Sequence, residues 1–250
     1  MAKLITITSG KGGVGKTTTA VNLGAALNAL GKEVVIVDAN LTTPNVGLHL
    51  GAPIVPISLN HVLSGKAKIY DAIYEHESGT KIVPSSLSVK DLKKINHGGL
   101  KKVGKKLKQV ADYVIFDSAA GLGGEALASF IAADDIIIVT NPEIPAVTDA
   151  LKTSKVIEDM GKFVRGVIVT RVKSNRVEMP LSNISDMLEL PIIGVVSEDR
   201  NVPMSVVMRD ALVHTHPKSK AAKAYMKIAA KIAGIPYKAK SSLIERLFGL

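Results

Sequence analysis

One glycine-rich stretch near the start of the chain, residues 9–18 with the sequence SGKGGVGKTT, limits the fold more than any other segment. It satisfies the pattern G-x-x-x-x-G-K-[ST] through Gly10, Gly15, Lys16 and Thr17. A β-branched run at 4–8 precedes it and predicts a buried strand, and apolar residues at helical spacing follow it. A strand, a glycine loop and a helix in this order form an anion cradle, because the loop turns its N–H groups inward and the helix N-terminus is partially positive.

The cradle predicts a nucleotide site with defined roles for its residues. Lys16 is placed to reach the β- and γ-phosphates, and the hydroxyl of Thr17 is placed to ligate Mg²⁺. The other loop positions expected to bind the nucleotide are Gly12, Gly13, Val14, Gly15 and Thr18. A chance glycine-rich turn is the competing interpretation, and the strand and helix patterns on either side argue against it.

Two later apolar runs each end in a carboxylate. Residues 33–38 end at Asp38, and residues 112–117 end at Asp117. Because the carboxyl ends of parallel strands face the ligand crevice of an α/β sheet, both side chains are expected near the cradle. We therefore expect Thr17, Asp38 and Asp117 to form the metal site, with Asp117 holding a Mg²⁺-bound water. A buried structural aspartate is the alternative for Asp117.

The lysine at position 11 makes the loop more specific, since many loops of this type tolerate other residues there. The text K-G-G-x-G-K-T-T resembles the deviant Walker A loop of the MinD/ParA ATPases. The similarity covers nearly the whole chain, including N-P-E at 141–143 and S-A-A-G-L at 118–122, where Ala119 replaces the family's usual proline. The resemblance implies ATP and Mg²⁺ as cofactors and an ATP-bound homodimer in which Lys11 reaches the partner's nucleotide. A solvated loop lysine is the alternative.

Position 40 departs from the family pattern. The resemblance places switch I after Asp38 with the usual opening D-x-D, whose second Asp is implicated in activating the attacking water, but this chain has Asn40. A carboxylate can take a proton from water, whereas a neutral amide can only orient the water. We therefore expect slow ATP hydrolysis, whether Asn40 is natural or introduced. The catalytic candidates are Lys11, Lys16, Asp38 and Asn40.

The residues expected to bind the base also depart from the family pattern. Where the family commonly has Asn-Arg after a late strand, this chain has Thr170 and Arg171, and it has S-E-D at 197–199 where P-E-D is usual. Thr170 and Arg171 are still the positions expected to contact the nucleotide. A preference for adenine over guanine therefore rests on the family and not on these residues.

Alternating strand and helix patterns from 4 to 233 predict an α/β fold, with a doubly wound, mostly parallel sheet and helices on both faces, as in P-loop NTPases. We expect an ATPase domain at 1–236 and a separate tail at 237–250. The absence of cysteine excludes the iron–sulfur carriers and the nitrogenase iron protein, which share this loop but need thiolate ligands. No signal peptide or uncharged apolar run of about 18 residues is visible, which favours a cytoplasmic protein.

Basic residues are concentrated between 90 and 108, in a chain whose net charge is +10. They are Lys90, Lys93, Lys94, Lys101, Lys102, Lys105, Lys106 and Lys108. We interpret the run as a solvated helix face, with a surface for lipid or nucleic acid as the alternative. Aromatic residues, 4% of the chain, do not interleave with these lysines, which argues against a stacking platform for single strands.

The end of the chain, 237–250, predicts an amphipathic segment. At about 100° per residue its apolar side chains share one arc and its polar ones fill the other. The apolar arc consists of Leu243, Ile244, Leu247, Phe248 and Leu250. The segment resembles the C-terminal membrane-targeting sequence of MinD, which implies reversible peripheral binding to an anionic surface at the inner face of the cell membrane. A short helix docked on the domain, or a disordered end, is the alternative.

The leading interpretation is a MinD-like ATPase that dimerises on Mg–ATP and binds the membrane through paired tails, in spatial regulation of cell division or polar positioning. The alternatives are a ParA-like partition ATPase that binds DNA nonspecifically through the lysine surface, and a hydrolysis-poor scaffold suggested by Asn40. DNA is the less favoured partner because such a protein needs no amphipathic tail. An unidentified protein partner or activator is also expected.

Three further expectations concern local features of residues 57–76 and 206–208. Residues 57–76 read as two short helices, and His61 among them is expected at the surface or as a helix cap. The apolar residues Val206, Val207 and Met208 are expected to belong to the core.

Overall fold

The computed structural model describes residues 2–92, 95–173 and 177–236. Lys93 and Lys94 of the basic run, and the expected membrane-targeting tail, lie outside these ranges. The strands in chain order are β1 Lys3–Thr8, β2 Val34–Ala39, β3 Tyr74–Glu75, β4 Lys81–Val83, β5 Tyr113–Ser118, β6 Asp135–Thr140, β7 Val164–Val172 and β8 Ile192–Ser197. They form one sheet in the spatial order β3-β4-β2-β5-β1-β6-β7-β8.

The sheet is parallel except at one edge. The short strand β3 runs antiparallel to β4, and the remaining neighbouring pairs are parallel. Strand β1 lies between β5 and β6, so the order of the strands reverses direction there. This reversal opens a crevice for a ligand at the carboxyl end of β1. The prediction of a doubly wound, mostly parallel sheet is confirmed.

Helices cover both faces of the sheet. They are α1 Lys16–Ala29, α2 Val46–His49, α3 Leu59–Leu63, α4 Gly99–Leu107, α5 Gly124–Ala132, α6 Ile144–Asp159, α7 Leu181–Leu188, α8 Asn201–Val207, α9 Leu212–Thr215 and α10 Lys220–Ala233. Leu4 of β1 belongs to one core with residues of α3 to α7, whereas Ile5 and Ile7 belong to the other, with residues of α1, α2, α9 and α10. The alternation follows from the pleat, which sends successive side chains to opposite faces.

Helix α1 is enclosed on most of its surface. It packs on β2 and β5 on one side and on α10 on the other. Gly24 permits this close packing, because a Cβ at that position would lie 2.5 Å from Cδ1 of Ile36. The burial fixes the start of α1, and with it the end of the glycine loop.

Helix α4 turns its lysines to solvent. It buries Leu100, Val103, Gly104 and Leu107, while Lys101, Lys102 and Lys105 are exposed. Lys108 pairs with Asp134 at 2.7 Å. The arrangement is that of the solvated helix face inferred from the sequence. Among the helices of the described ranges, none combines the length and the apolar character needed to cross a bilayer.

The local expectations have mixed outcomes. Within 57–76 the structure has α3, then a 3-10 helix at Ile69–Ala72, then strand β3. His61 is a capping residue, as expected, because the N–H of Ser58 donates to its Nδ1 at 3.1 Å. The core prediction was wrong for Val207 and Met208, which are 74% and 55% exposed, because α8 buries only Ser205.

Candidate functional site

The glycine loop, residues 9–15, joins the carboxyl end of β1 to the first residue of α1, where the strand order reverses. Gly15 has φ 88°, in the left-handed region that glycine adopts without strain. Gly10 lies against α6, so closely that a Cβ there would be 2.2 Å from the carbonyl oxygen of Asp149. The N–H of Gly121, after β5, donates to the carbonyl oxygen of Ser9 at 2.9 Å. The loop is thus held between α6 and the segment that follows β5.

Strand β5 brings Asp117 against the start of α1. The ammonium Nζ of Lys16 lies 3.4 Å from Oδ1 of Asp117, and the hydroxyl of Thr17 donates to Oδ2 at 2.6 Å. Lys16 is 9% exposed and Asp117 is fully buried. The three side chains that the sequence assigned to phosphate and metal binding therefore meet at one point.

Asp38 lies beside this group on the neighbouring strand. The strand register pairs Asp38 directly with Asp117. The backbone N–H groups of Asn45 and Val46 donate to Oδ2 of Asp38 at 2.8 and 2.9 Å, and that of Asn40 donates to Oδ1 at 3.3 Å. Burial, followed by the negative charge of Asp117, raises the pKa of the Asp38 carboxyl well above its usual range, although the three hydrogen bonds act in the opposite direction.

This set of donors fits a magnesium ion beside nucleotide phosphates. Two adjacent buried carboxylates repel each other, and a divalent cation between them and the phosphates would offset that repulsion. Carboxylate and hydroxyl oxygens are ligands that Mg²⁺ prefers. Thr17, Asp38 and Asp117 would hold the metal, and Lys16 with the N–H groups of residues 12–18 would hold the phosphates.

The side chain of Asn40 is engaged within its own loop, the switch segment at residues 40–46. Its Nδ2 donates to the carbonyl oxygen of Thr43 at 2.7 Å, and the hydroxyl of Thr43 donates back to Oδ1 at 3.1 Å. Nδ2 of Asn45 donates to the same carbonyl oxygen at 2.8 Å. The Asn40 amide thus closes a turn, which a carboxylate could not do in the same way because it has no N–H to donate.

Glu125 also contacts the switch segment, although no sequence motif singles out this residue. Its carboxylate accepts hydrogen bonds from the N–H groups of Leu41 at 3.0 Å and Thr42 at 3.3 Å, and the hydroxyl of Thr42 donates to it as well. Glu125 lies in the first turn of α5. The residues are 84 positions apart in the chain, so no local pattern reveals the contact.

Thr170 and Arg171 occupy different environments at the end of β7. Thr170 is 3% exposed, and its hydroxyl donates to the carbonyl oxygen of Val14 at 2.6 Å, so it supports the glycine loop from behind. Arg171 is exposed and has φ 55°, which is uncommon for a residue with a side chain. It lines a cavity of about 230 Å³ together with Pro142, Glu143, Lys173, Val177, Glu178 and Glu198. This cavity, next to the ends of β6, β7 and β8, is the candidate position for a base.

Lys11 is exposed on the outside of the loop, as are Gly12 and Gly13. In the part of the chain that the structure describes, its ammonium group makes no hydrogen bond or ion pair. The positive charge of Lys11 is therefore available to bind an anion from another molecule.

We expect Gly10→Ala to destabilise the protein strongly. The new methyl group would meet the backbone carbonyl of Asp149, which cannot move without shifting α6, and such overpacking typically costs about 1–3 kcal/mol. Gly12→Ala is the matched control, since a Cβ there has nothing within 4 Å. Urea unfolding of both variants measures the difference, and equal midpoints would contradict the packing argument.

Comparison with known proteins agrees with this geometry. Residues 5–209 match the family model described as the CobQ/CobB/MinD/ParA nucleotide binding domain. The chain is 40% identical to an uncharacterised ATP-binding protein of Methanocaldococcus jannaschii, over 100% of this chain and 98% of that protein.

Two solved structures share the fold over nearly their whole length. The septum site-determining protein MinD of Pyrococcus horikoshii, complexed with Mg-ADP, has a TM-score of 0.89 and 35% identity, covering 96% of this chain and 100% of that one. A chain of the MinC:MinD cell division protein complex of Aquifex aeolicus has a TM-score of 0.86 and 29% identity, covering 96% and 99%. The chain therefore belongs to the MinD/ParA family of P-loop ATPases.

Proposed function

We propose that this chain binds and slowly hydrolyses Mg–ATP, dimerises in the ATP-bound state, and associates reversibly with a membrane, in spatial regulation of cell division or polar positioning. The observation that carries the proposal is the contact of Lys16 and Thr17 with buried Asp117. Among the described residues the Lys11 ammonium has no hydrogen bond or ion pair, which supports a role outside its own subunit. Family membership supports ATP hydrolysis in general, and the related P. horikoshii protein is described as a complex with Mg-ADP.

The residues of the site divide the work of phosphoryl transfer. Lys16 and the loop N–H groups bind the phosphates, and Thr17, Asp38 and Asp117 hold the metal, which when bound neutralises charge on the phosphates. Asn40 supplies no general base, because its amide is engaged by Thr43 and cannot accept a proton from the attacking water, and this is the basis of the slow rate. Arg171 and the cavity around it receive the base.

A second copy of the chain would complete the site. Lys11 would reach the partner's nucleotide, so two subunits would close over two ATP molecules. The A. aeolicus complex joins MinC to MinD, which supports a further protein partner for this chain.

The membrane would be bound by the segment 237–250. Helix α10 ends at Ala233 and is capped by Gly234, which has φ 66°, and the segment begins after Pro236. Its apolar residues are Leu243, Ile244, Leu247 and Phe248. A helix this short is marginal in water, so a single segment should bind weakly and fold at the lipid surface. Pairing two segments in the ATP dimer can raise avidity by about 10²–10⁴, so the nucleotide state would decide between membrane and cytoplasm.

We expect the full chain to sediment with anionic vesicles in the presence of ATP and to remain in solution with ADP. A chain ending at Lys240 should remain in solution with either nucleotide, because it lacks the apolar residues. The control replaces Lys101, Lys102 and Lys105 of α4 by Gln and should still sediment with ATP. All samples carry phosphatidylglycerol vesicles and Mg²⁺.

The outcomes separate the two candidate partners. If the truncated chain sediments as well as the full chain while the lysine variant does not, the α4 surface carries binding to anions. The ParA-like alternative then applies, and a duplex DNA shift assay with the same variants would follow. The exposed lysines of α4 are a structural observation that favours it.

A further inference from the structure

We propose that Glu125 is a positioning residue for ATP hydrolysis, which latches the switch segment at residues 40–46 onto the start of α5. The inference rests on the proposed ATPase function and adds to it a residue outside the glycine loop and the two strand-end aspartates.

The geometry is that of one carboxylate bound by three donors. Oε2 of Glu125 accepts from the N–H of Leu41 at 3.0 Å and from the N–H of Thr42 at 3.3 Å. Oε1 accepts from the hydroxyl of Thr42. The three bonds use both carboxylate oxygens and donors from two adjacent residues, so together they hold the near end of the loop on α5.

The latch joins two segments that both touch the candidate site. Helix α5 follows residues 118–123, which continue from Asp117 and bond to the glycine loop through the N–H of Gly121. The far end of the switch segment is fixed separately, because the N–H groups of Asn45 and Val46 donate to Asp38. Glu125 is thus the contact that attaches its near end to α5.

Without Glu125 the near end of the switch segment would lose its attachment to α5 and would keep the buried side chain of Leu41 and the bond from the N–H of Asn40 to Asp38. The bonds between Asn40 and Thr43 close the turn but do not attach it to α5. A misplacement of about 1 Å at a reacting centre can cost about 100-fold in rate, so a loosened turn should slow hydrolysis. The phosphate-binding residues lie on another loop, so ATP affinity should change little.

The carboxylate acts through the loop and not on the substrate. Both of its oxygens are occupied by donors from residues 41 and 42. What the latch requires is acceptor oxygens in the right place, and the negative charge is secondary. Gln keeps one acceptor oxygen for the two N–H groups, and its amide can donate to the hydroxyl of Thr42.

The experiment compares Glu125→Ala, Glu125→Gln and Thr42→Val with the full-length chain. Single-turnover hydrolysis of Mg–ATP and ATP affinity are measured for each, with amide hydrogen exchange of Leu41 and Thr42 by NMR. We expect Glu125→Ala to lower the rate at least about tenfold, with ATP affinity within about threefold, and to speed exchange of both amides about tenfold or more. Glu125→Gln should stay within about threefold of the unmodified chain in all three measurements, and Thr42→Val should fall between them, since it removes only the hydroxyl donor.

Three results would overturn the latch. The first is unchanged amide exchange at Leu41 and Thr42 in Glu125→Ala. The second is faster exchange in that variant with an unchanged rate of hydrolysis. The third is a loss in Glu125→Gln as large as in Glu125→Ala, which would assign the effect to charge. Amide exchange is measured without nucleotide, so it tests the latch independently of ATP hydrolysis. If the unmodified chain hydrolyses no ATP, that result counts against the proposed function and not against the latch.

Discussion

Replacing Lys16 by Ala should abolish ATP binding, whereas replacing Lys11 by Ala should leave it nearly intact and abolish the ATP-bound dimer. Lys16 is buried against Asp117, so its loss removes a phosphate ligand and also the ammonium group that lies 3.4 Å from the buried Asp117 carboxylate. Removing one partner of a buried charged contact across a binding site costs about 2–5 kcal/mol of binding free energy. Loss of the contact between Lys16 and the phosphates should therefore lower the affinity for ATP at least about 30-fold. Lys11 is exposed, and its ammonium group makes no hydrogen bond or ion pair within the described part of its own subunit, so its loss has no such cost.

Isothermal titration with ATP and light scattering with Mg–ATP separate these two effects. Lys66→Ala is the matched control, because Lys66 is also an exposed loop lysine next to a glycine, and it lies outside the glycine loop and the switch segment. It should bind ATP and dimerise like the unmodified chain. Dimerisation of Lys11→Ala at the unmodified level would remove the cross-subunit role of Lys11 from the proposed function.

The sheet and the centre of the site could be predicted because their signals are local. Each β-branched run of the first strands, such as the one ending at Asp38, became a buried parallel strand close to its expected bounds. The rule that parallel strands present their carboxyl ends to one crevice then placed Asp38 and Asp117 together with Lys16. The closeness of these three side chains follows from the order and register of the strands, so predicting it needed no long-range information from the sequence.

Other features depend on neighbours that the sequence does not reveal. Val207 and Met208 are apolar, yet no part of the chain that the structure describes buries them, and residue type alone does not indicate which apolar surface will be buried. The strand Tyr74–Glu75 has only two residues, too few for a periodic pattern. Glu125 looks like an ordinary first-turn acid of a helix, and only the fold brings Leu41 and Thr42 to it.

Asn40 is an intermediate case. The comparison with the D-x-D pattern identified the position, but not what the amide does in this chain. Its bonds to Thr43 span three residues, as in the local turns that Asn commonly forms, so a turn at 40–43 was within reach of sequence reasoning. The structure thus gives Asn40 a conformational role in addition to the missing carboxylate.

Replacing Asn40 by Asp should raise ATP turnover by at least about an order of magnitude, because a positioned general base typically contributes about 10²–10⁴ in rate. An aspartate cannot donate to the carbonyl oxygen of Thr43, so the bond of 2.7 Å that engages Asn40 is lost and the carboxylate is free to turn toward the attacking water. The loss of this hydrogen bond, together with a new carboxylate close to buried Asp38, should lower the free energy of unfolding by about 1–3 kcal/mol. Turnover and stability are therefore expected to change in opposite directions.

Asn45→Asp provides the matched control for this variant. Asn45 also donates to the carbonyl oxygen of Thr43, at 2.8 Å, so the substitution makes the same chemical change in the same turn. It should lower stability without raising turnover, since no base is gained at position 40. Steady-state phosphate release and thermal unfolding, measured on Asn40→Asp, Asn45→Asp and the unmodified chain, test both statements. Brisk hydrolysis by the unmodified chain, or an equal gain in both variants, would show that the residue at position 40 does not limit the chemistry.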